Sequence, residues 1–288
     1  MKIKELINYG KKLLVENEIQ DSTIIAKTLA EYILKMDRMQ IVINEEKEID
    51  EREKTRYYLA LIEIIQGMPI QYITNKQEFM NLEFYVDENV LIPQPDTEIL
   101  VEEVINIAKQ KKEDIQILDI CAGSGAIGIA ISKNIENAHI TMSDISTDAL
   151  QIAKKNSEKY ISLSKVEFVE SNMFESITDK YDVIVSNPPY IQTSVIETLS
   201  KNVQKEPILA LDGGKDGLSF YKILANEAYK FLNNEGYLCM EIGYDQKEEV
   251  IKLLNNTGKY KEIYSKKDLA GNDRIVVATR KWFSHATL

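Results

Sequence analysis

The segment formed by residues 115–131 places the strongest constraint on how this chain can fold. Its first six residues, Ile115-Gln116-Ile117-Leu118-Asp119-Ile120, have the apolar character of a buried strand, and they lead into the turn Cys121-Ala122-Gly123-Ser124-Gly125. The helix-like residues 126–131 follow the turn. A strand, a glycine turn and a helix begin the nucleotide site of doubly wound α/β sheets, where glycine allows the backbone to approach a ligand closely. A glycine turn that only packs a helix on a strand would have the same pattern.

The next strand-like run, residues 138–143, ends at Asp144. A carboxylate at that place would accept hydrogen bonds from the hydroxyls of a ribose. Strand-like and helix-like runs continue to alternate after it, which predicts an α/β fold with a mostly parallel sheet. The remaining strands are expected at 165–170, 181–186 and 236–243, and a closing hairpin at the sheet edge is expected near 260–265 and 274–279.

The four residues Asn187-Pro188-Pro189-Tyr190 follow the predicted strand 181–186 and indicate a rigid polar pocket. Each proline fixes its own φ and lacks an N–H, and it pushes the preceding residue into an extended conformation. The carbonyls of Asn187 and Pro188 therefore stay available as acceptors, together with the Asn187 side chain. Two acceptors beside the flat ring of Tyr190 suit a planar NH2 group. A strand that ends in a Pro-Pro turn with a buried tyrosine is the alternative.

Residues 1–75 have the pattern of a small helical bundle. This segment carries no nucleotide-binding turn, so we interpret it as the domain that recognises the substrate, with a purely stabilising role as the alternative. Its helices are expected at 3–18, from a cap at Asp21-Ser22 to Met36, and at 50–66 with Gly67 as the stop.

Residues 76–90 are expected to form a β-hairpin linker, and residues 91–282 the sheet domain. Asp96 or Thr97 is expected to cap the first helix of that domain. Residues 283–288, which include His285, are expected to form a tail.

Composition limits the possible functions of the chain. It has 288 residues, 44% hydrophobic and 28% charged, which is ordinary for a globular protein of one large or two average domains. The N-terminus lacks the apolar core of a signal peptide, and the longest apolar stretch, around 115–131, is too interrupted to span a membrane. Two cysteines, Cys121 and Cys239, indicate a reducing cytoplasm without a disulfide framework. Two histidines and no cysteine cluster predict no metal site.

The formal net charge of −11 speaks against a nucleic-acid substrate. Proteins that bind nucleic acids need lysine and arginine to meet the phosphates. Residues 1–90 contain 12 Lys/Arg and 17 Asp/Glu, so the predicted helical domain holds no hidden basic arm.

Together these elements resemble the class I S-adenosylmethionine-dependent methyltransferases. Almost the whole chain resembles the release-factor glutamine N5-methyltransferases, also called the PrmC/HemK family. Asn-Pro-Pro-Tyr is shared with methyltransferases of adenine N6 and cytosine N4, so it indicates only an amino-group acceptor. More specific to the family are the runs Gly67-Met68-Pro69-Ile70-Gln71-Tyr72-Ile73 and Asp268-Leu269-Ala270-Gly271-Asn272-Asp273-Arg274.

The resemblance implies a Rossmann-like domain with a seven-stranded sheet and an N-terminal helical bundle. It implies S-adenosylmethionine as donor, S-adenosylhomocysteine as product, and the glutamine of the Gly-Gly-Gln motif in class-1 peptide chain release factors as acceptor. A cytoplasmic monomer that binds release factors, and neither nucleic acid nor a membrane, is expected. An adenine-N6 methyltransferase acting on DNA or RNA is the alternative, and a binding module without catalysis is a second one.

The resemblance also assigns roles to residues. Asn187, Pro188 and Tyr190 are the expected catalytic residues, and they bind the acceptor together with Pro189. The donor is expected to contact Cys121, Ala122, Gly123, Ser124, Gly125, Asp144, Asn172, Met173 and Asn187.

The sequence departs from the family pattern at several of these positions. Cys121 stands where the family usually has glycine, and a residue this small is expected to be tolerated there if its φ is negative. Gln94 and Asp96 stand where arginine and glutamate are usual, and Asn172 and Met173 where an acid and an aromatic residue are common. Asp273 and Arg274 are expected to form a structural pair.

Overall fold

The computed structural model describes residues 1–111 and 113–282. The predicted tail 283–288, with His285, lies outside the described residues. The chain divides into two compact units, one of Met1–Lys76 with Ser200–Lys205, and one of Gln77–Leu199 with Glu206–Leu288.

The first unit is a bundle of five helices. Leu6, Leu14, Leu29 and Leu61 are buried in its apolar core. Asp37 and Asp50 cap the helices that begin at Arg38 and Glu51, through side-chain oxygens that accept from the amides of Gln40 and Glu53 at 2.8 and 2.7 Å. The helices are α1 Ile3–Glu16, α2 Ser22–Leu34, α3 Arg38–Ile43, α4 Glu51–Ile65 and α5 Ile70–Thr74.

The expected side-chain cap at Asp21 is wrong, although a helix does begin there. Asp21 has a left-handed backbone (φ 53°) and its side chain makes no capping hydrogen bond. The backbone carbonyl of Asp21 accepts from the amides of Ile24 and Ile25, and the Ser22 hydroxyl donates to the carbonyl of Ile19. Gly67, with φ 97°, follows α4 as predicted.

The second unit contains a hairpin and a seven-stranded sheet. The hairpin consists of β1 Gln77–Phe79 and β2 Leu82–Phe84, and both turn residues between them, Met80 and Asn81, have positive φ. The sheet strands are β3 Ile115–Ile120, β4 Ala138–Asp144, β5 Val166–Glu170, β6 Tyr181–Ser186, β7 Leu232–Glu241, β8 Tyr260–Lys267 and β9 Asp273–Arg280. The helices are α6 Glu98–Ala108, α7 Ala126–Asn134, α8 Thr147–Tyr160, α9 Thr193–Ile196, α10 Ile208–Leu211, α11 Ser219–Glu227 and α12 Lys247–Thr257.

The sheet order is β5-β4-β3-β6-β7-β9-β8. The first five strands in this order are parallel, and β9 pairs antiparallel with both β7 and β8. The predicted mostly parallel sheet with a closing hairpin is therefore confirmed. The chain builds outward from β3 through β4 to β5 and then returns to place β6 on the other side of β3. Such a reversal opens a crevice at the carboxyl ends of the strands.

Both faces of the central strands are covered by apolar side chains. On β3, Ile117 belongs to one apolar cluster and its neighbour Leu118 to the other. On β6, Val183 and Val185 belong to the first cluster and Ile184 to the second. Strands buried on both faces carry long apolar runs rather than alternating patterns, which explains the sequence of these strands.

A testable feature of the first unit is the close packing of Gly10 on Tyr57. A Cβ atom at position 10 would overlap the hydroxyl oxygen of the buried Tyr57 and would lie 2.9 Å from Cε1 and Cζ of its ring. That hydroxyl donates to the Ala26 carbonyl at 2.9 Å. Alanine normally stabilises a helix interior over glycine by about 1 kcal/mol. We expect Gly10→Ala to destabilise the protein by about 1–3 kcal/mol in urea unfolding because of this overlap. In a Tyr57→Phe background the loss is expected to be smaller, and an equal loss there would contradict the explanation.

Candidate active site

A cleft opens at the carboxyl ends of β3, β4 and β6 and encloses about 1050 Å³, open solvent included. It lies within the second unit, at the crevice that the strand order predicts. Three of the expected site residues do not line the cleft, although their sequence neighbours do: Gly125, Pro188 and Tyr190. The expected site residues that line the cleft are Cys121, Ala122, Gly123, Ser124, Asp144, Asn172, Met173, Asn187 and Pro189.

The turn after β3 has three residues with positive φ: Cys121 at 61°, Gly123 at 54° and Gly125 at 77°. The φ of Cys121 is therefore positive, so the condition under which a small residue was expected to be tolerated at this position is not met. The turn requires the left-handed region at that position, which costs a residue with a side chain roughly 1–2 kcal/mol. This requirement also explains why glycine is common there in the family that the sequence resembles.

The two glycines of the turn have different surroundings. A Cβ at Gly125 would lie 3.1–3.2 Å from Ala153, Ile129 and Met142, so this glycine allows α7 and α8 to pack on β4. A Cβ at Gly123 would meet no atom within 4 Å, and the Gly123 amide donates to Oδ2 of Asp144 at 2.9 Å. Gly123 therefore forms open backbone beside the carboxylate.

Asp144 ends β4 with its carboxylate held by backbone amides. Gly123 donates to Oδ2, and Ser146 donates to Oδ1 at 2.9 Å. Burial raises the pKa of Asp144, and hydrogen bonds from the amides of Ser146, Gly123 and Ile145 oppose that rise. A carboxylate offers about four lone-pair sites, so these three amide bonds leave capacity for a further donor.

Met173 and Cys121 form a sulfur-rich wall of the cleft. Their sulfur atoms lie 3.9 Å apart. Burial and the charge of Asp144 raise the pKa of the Cys121 thiol, so it is protonated and unreactive at neutral pH. Asn172, next to Met173, is exposed and donates through Nδ2 to Glu175 at 2.9 Å.

The other side of the cleft is formed by the residues that follow β6. The Ser186 hydroxyl donates to the Ile120 carbonyl at 2.8 Å and ties β6 to β3. Asn187 donates through Nδ2 to Oγ1 of Thr97 at 3.2 Å. Pro188 and Pro189 are buried, and the hydroxyl of the half-buried Tyr190 donates to Oε1 of Glu241 at 3.3 Å.

Thr97 and Glu241 were not predicted as site residues. Neither Asp96 nor Thr97 caps α6 as expected: Thr97 occupies the cap position without a capping bond, and its hydroxyl donates to Oε2 of Glu241 at 2.6 Å. The signal in the sequence was the acid at the end of the apolar strand β7, because this places a carboxylate at the same sheet edge as Asp144.

Asp273 and Arg274 do not pair with each other, contrary to expectation. Arg274 forms salt bridges with Asp268 at 3.0 Å and Asp96 at 3.1 Å. Asp273 pairs with Lys247 at 3.2 Å. Neighbours on a strand point to opposite faces, which excludes the expected pairing.

Gly213 permits close packing behind Tyr190. A Cβ at position 213 would lie 2.7 Å from Cα of Tyr190 and 2.9 Å from the Pro189 carbonyl oxygen. Asp212 closes the loop by accepting from the Gly214 amide at 2.9 Å. Glycine is therefore required at position 213 by contact with the backbone of Pro189 and Tyr190.

Comparisons with known proteins agree with this geometry. The family model described as Methyltransferase small domain matches residues 94–214, and the one described as PrmC N-terminal domain matches residues 5–74. The chain is 42% identical to the release factor glutamine methyltransferase of Clostridium botulinum, over 97% of this chain and 100% of that protein. It is 39% identical to the protein of the same name from Clostridium acetobutylicum, over 97% and 99%.

A solved methyltransferase structure from Pyrococcus furiosus matches with a TM-score of 0.52 and 18% identity, over 78% of this chain and 99% of that one. At this identity the match shows the fold alone.

No helix within residues 1–111 and 113–282 has the length and apolar character needed to cross a membrane. In the same ranges, no three His, Cys, Asp or Glu side chains form a group that could hold a metal ion.

Asp119 lies on β3 next to the turn of residues 121–125, and its burial has a measurable effect on stability. It is fully buried and its Oδ2 accepts from the Gly128 amide at 2.9 Å, while Oδ1 has no partner among the described residues. Burial raises the pKa of Asp119 to about 7, the bond from Gly128 opposes this, and the charge of Asp144 adds to it. A carboxyl group whose folded pKa is raised stabilises the fold less as pH rises from its unfolded pKa to its folded pKa.

We therefore expect the stability of the wild type, relative to Asp119→Asn, to fall between about pH 4 and pH 7, by a total on the order of 4 kcal/mol. Asparagine is the reference because it can accept the Gly128 bond without titrating. Urea unfolding of both proteins at pH 5 and pH 8 should show about 3 kcal/mol of this fall, because part of it has already occurred at pH 5. A difference that does not change with pH would show that Asp119 is ionised throughout.

Proposed function

This chain belongs to the family of release factor glutamine methyltransferases, and from that premise we propose that it methylates the glutamine side-chain amide nitrogen in the Gly-Gly-Gln motif of class-1 peptide chain release factors. The methyl donor is S-adenosylmethionine. The observation that carries the proposal is the carboxamide of Asn187, which lines the same cleft as the Asp144 carboxylate. One cleft thus offers an acceptor for an amide N–H and a carboxylate for a ribose.

The cleft fits the donor. Asp144 has lone pairs to accept from the ribose hydroxyls, and the space at Gly123 is open to a ligand. Ile145, Met173 and Ala149 provide an apolar wall for adenine. S-adenosylmethionine supplies an electrophilic methyl group on a sulfonium.

The residues after β6 act on the acceptor. An amide nitrogen is a poor nucleophile because its lone pair is delocalised into the carbonyl. In this proposal Oδ1 of Asn187, which lines the cleft, accepts one N–H group, and the carbonyl of Pro188, which lies between the lining residues Asn187 and Pro189, accepts the other. Both stabilise positive charge as it develops on nitrogen. Tyr190 supports this wall through its bond to Glu241. Fixed orientation of the reacting groups supplies much of the rate, and the product nitrogen is acidic enough to lose its proton without a strong base.

The first unit is proposed to recognise the release factor. It matches the PrmC N-terminal domain model, and apolar side chains on α3 are exposed, Val42 at 64% and Ile43 at 74%. Exposed apolar side chains of this kind favour a protein partner. The proposed substrate is a translation protein, so we propose the cytoplasm as the place of action.

Adenine in a nucleic acid is the alternative acceptor, because its amino group makes the same demands on Asn187. It must be flipped out of a base stack and its phosphates need cations, whereas the chain carries a net charge of −11. The test is transfer of label from the donor to three substrates: a release factor, the same factor with Gln→Asn in its tripeptide, and duplex DNA at physiological salt. Label in the DNA equal to that in the factor would favour the alternative.

Substitutions at Asn187 and Asp144 are expected to separate catalysis from donor binding. Asn187→Ala removes an acceptor that is needed during transfer, so we expect a kcat at least about 100-fold lower with the donor Kd nearly unchanged. Asp144→Ala removes charge-assisted bonds to the ribose and is expected to weaken donor binding by about 1.5–3 kcal/mol. Calorimetry and release-factor assays measure both effects, with the exposed Asp148→Ala as control. Full activity of Asn187→Ala would refute the mechanism.

Ile43→Glu tests recognition by the first unit. A charge at an apolar contact residue should raise KM for the intact release factor at least about fivefold. Methylation of a short Gly-Gly-Gln peptide should not change. Leu163→Glu, at an exposed leucine of the second unit, is the control. An unchanged KM for the intact factor would remove this part of α3 from the proposed contact.

A further inference from the structure

The carboxamide of Asn187 can serve the acceptor in only one of its two orientations. Its oxygen accepts hydrogen bonds and its nitrogen donates them. With the oxygen towards the incoming amide the pair forms a hydrogen bond, whereas a half-turn about the last side-chain bond opposes two NH2 groups. Because that bond is a broad two-fold rotor, the strand end alone does not select the productive orientation.

Thr97 and Glu241 together select one of the two orientations of the Asn187 amide. An ionised carboxylate only accepts, so Glu241 takes the single hydroxyl proton of Thr97, at 2.6 Å. The Thr97 oxygen then has only lone pairs left, and the group it can receive is an N–H. The Asn187 amide places its nitrogen there, 3.2 Å from Oγ1, which turns its oxygen away from Thr97.

The charge on Glu241 determines the direction of this chain of bonds. Glu241 is 2% exposed, and burial raises its pKa to about 7. The Thr97 hydroxyl, the Arg274 guanidinium and the Tyr190 hydroxyl oppose the rise, and the charge of Asp96 adds to it. A protonated Glu241 can donate to Thr97 and free the threonine proton. That proton can then be donated to the oxygen of Asn187, which permits the unproductive orientation.

We propose that Thr97 and Glu241 are positioning residues that fix the productive orientation of the Asn187 amide, with the Glu241 carboxylate setting the direction. The proposal rests on the proposed amide methylation. Neither side chain needs to touch the acceptor, because both act through Asn187. Arg274 supports the carboxylate and is itself held by Asp268 and Asp96.

The first test uses variants of the full chain. Thr97→Val keeps the shape of the side chain and removes the hydroxyl, and we expect kcat for release-factor methylation to fall on the order of 10-fold. Thr97→Ser keeps the hydroxyl and is expected to stay within about twofold of wild type. The donor Kd should not change in either variant.

Glu103→Gln is the control for the variant Glu241→Gln of the second test. Glu103 is also a buried acid, but it pairs with Lys266 and Tyr264 outside the cleft.

The second test is the pH profile. Wild-type kcat should fall as pH drops through about 7, because protonation of Glu241 releases the orientation of Asn187. Glu241→Gln should have a lower kcat at pH 8, and the fall that Glu241 causes should be absent from its profile. The Glu103→Gln profile should match wild type. An activity of Thr97→Val equal to wild type, or an unchanged acid limb in Glu241→Gln, would overturn the proposal.

A measurement without turnover separates this proposal from the proposed function. In isotope-labelled protein, the NMR resonance of the Asn187 NH2 group should titrate together with the Glu241 carboxyl, and it should be insensitive to pH in Glu241→Gln. If the wild type does not methylate a release factor, the proposed function is wrong, and the titration still tests the positioning. An Asn187 resonance that ignores the Glu241 titration would overturn the positioning alone.

Discussion

Burial of the central strands on both faces is the constraint on which the cleft depends. A strand such as β3, with Ile117 in one apolar cluster and Leu118 in the other, is buried on both faces from Ile117 to its carboxyl end and has no exposed position there for polar chemistry. Polar groups can approach a ligand only where such strands end. Asp144, Asn187 and Glu241 all stand at or directly after the carboxyl ends of their strands. The reversal of strand order between β3 and β6 brings these ends together.

This arrangement has an electrostatic consequence. Carboxyl groups at the edge of an apolar sheet lose hydration, and burial raises the pKa of Asp119, Asp144 and Glu241 alike. Their partners differ. Asp144 is held by backbone amides, whereas Glu241 is held by side chains from three distant segments. Backbone amides hold the Asp144 carboxylate in a fixed position. The protonation of Glu241, in contrast, depends on the side chains around it.

Local patterns explain which features the sequence could predict. The strand, turn and helix at 115–131, the acid Asp144 and the prolines after Asn187 each act within a few residues, so their spacing is informative. The contacts of Thr97 with Glu241 and of Arg274 with Asp96 join residues far apart in the chain. No periodicity of the sequence indicates such pairs. For this reason Thr97 was predicted only as a helix cap, and Arg274 was predicted to pair with its neighbour Asp273. The positive φ of Cys121 was missed for another reason, since propensity favours a negative φ and the turn overrides it.

The residues that are proposed to bind the acceptor do not by themselves explain specificity. In the proposed mechanism, Asn187 and the Pro188 carbonyl are the two acceptors, and a glutamine amide and an adenine amine would satisfy both equally. Discrimination must therefore come from what delivers the NH2 group to the cleft. A flexible loop with two glycines before the glutamine enters a narrow opening at little energetic cost, whereas a base must leave its stack and bring its phosphates along. An acidic chain repels those phosphates, and exposed apolar side chains such as Ile43 favour a protein surface. We therefore propose that the chemistry of the amide and the choice of the protein that carries it are properties of different parts of this chain.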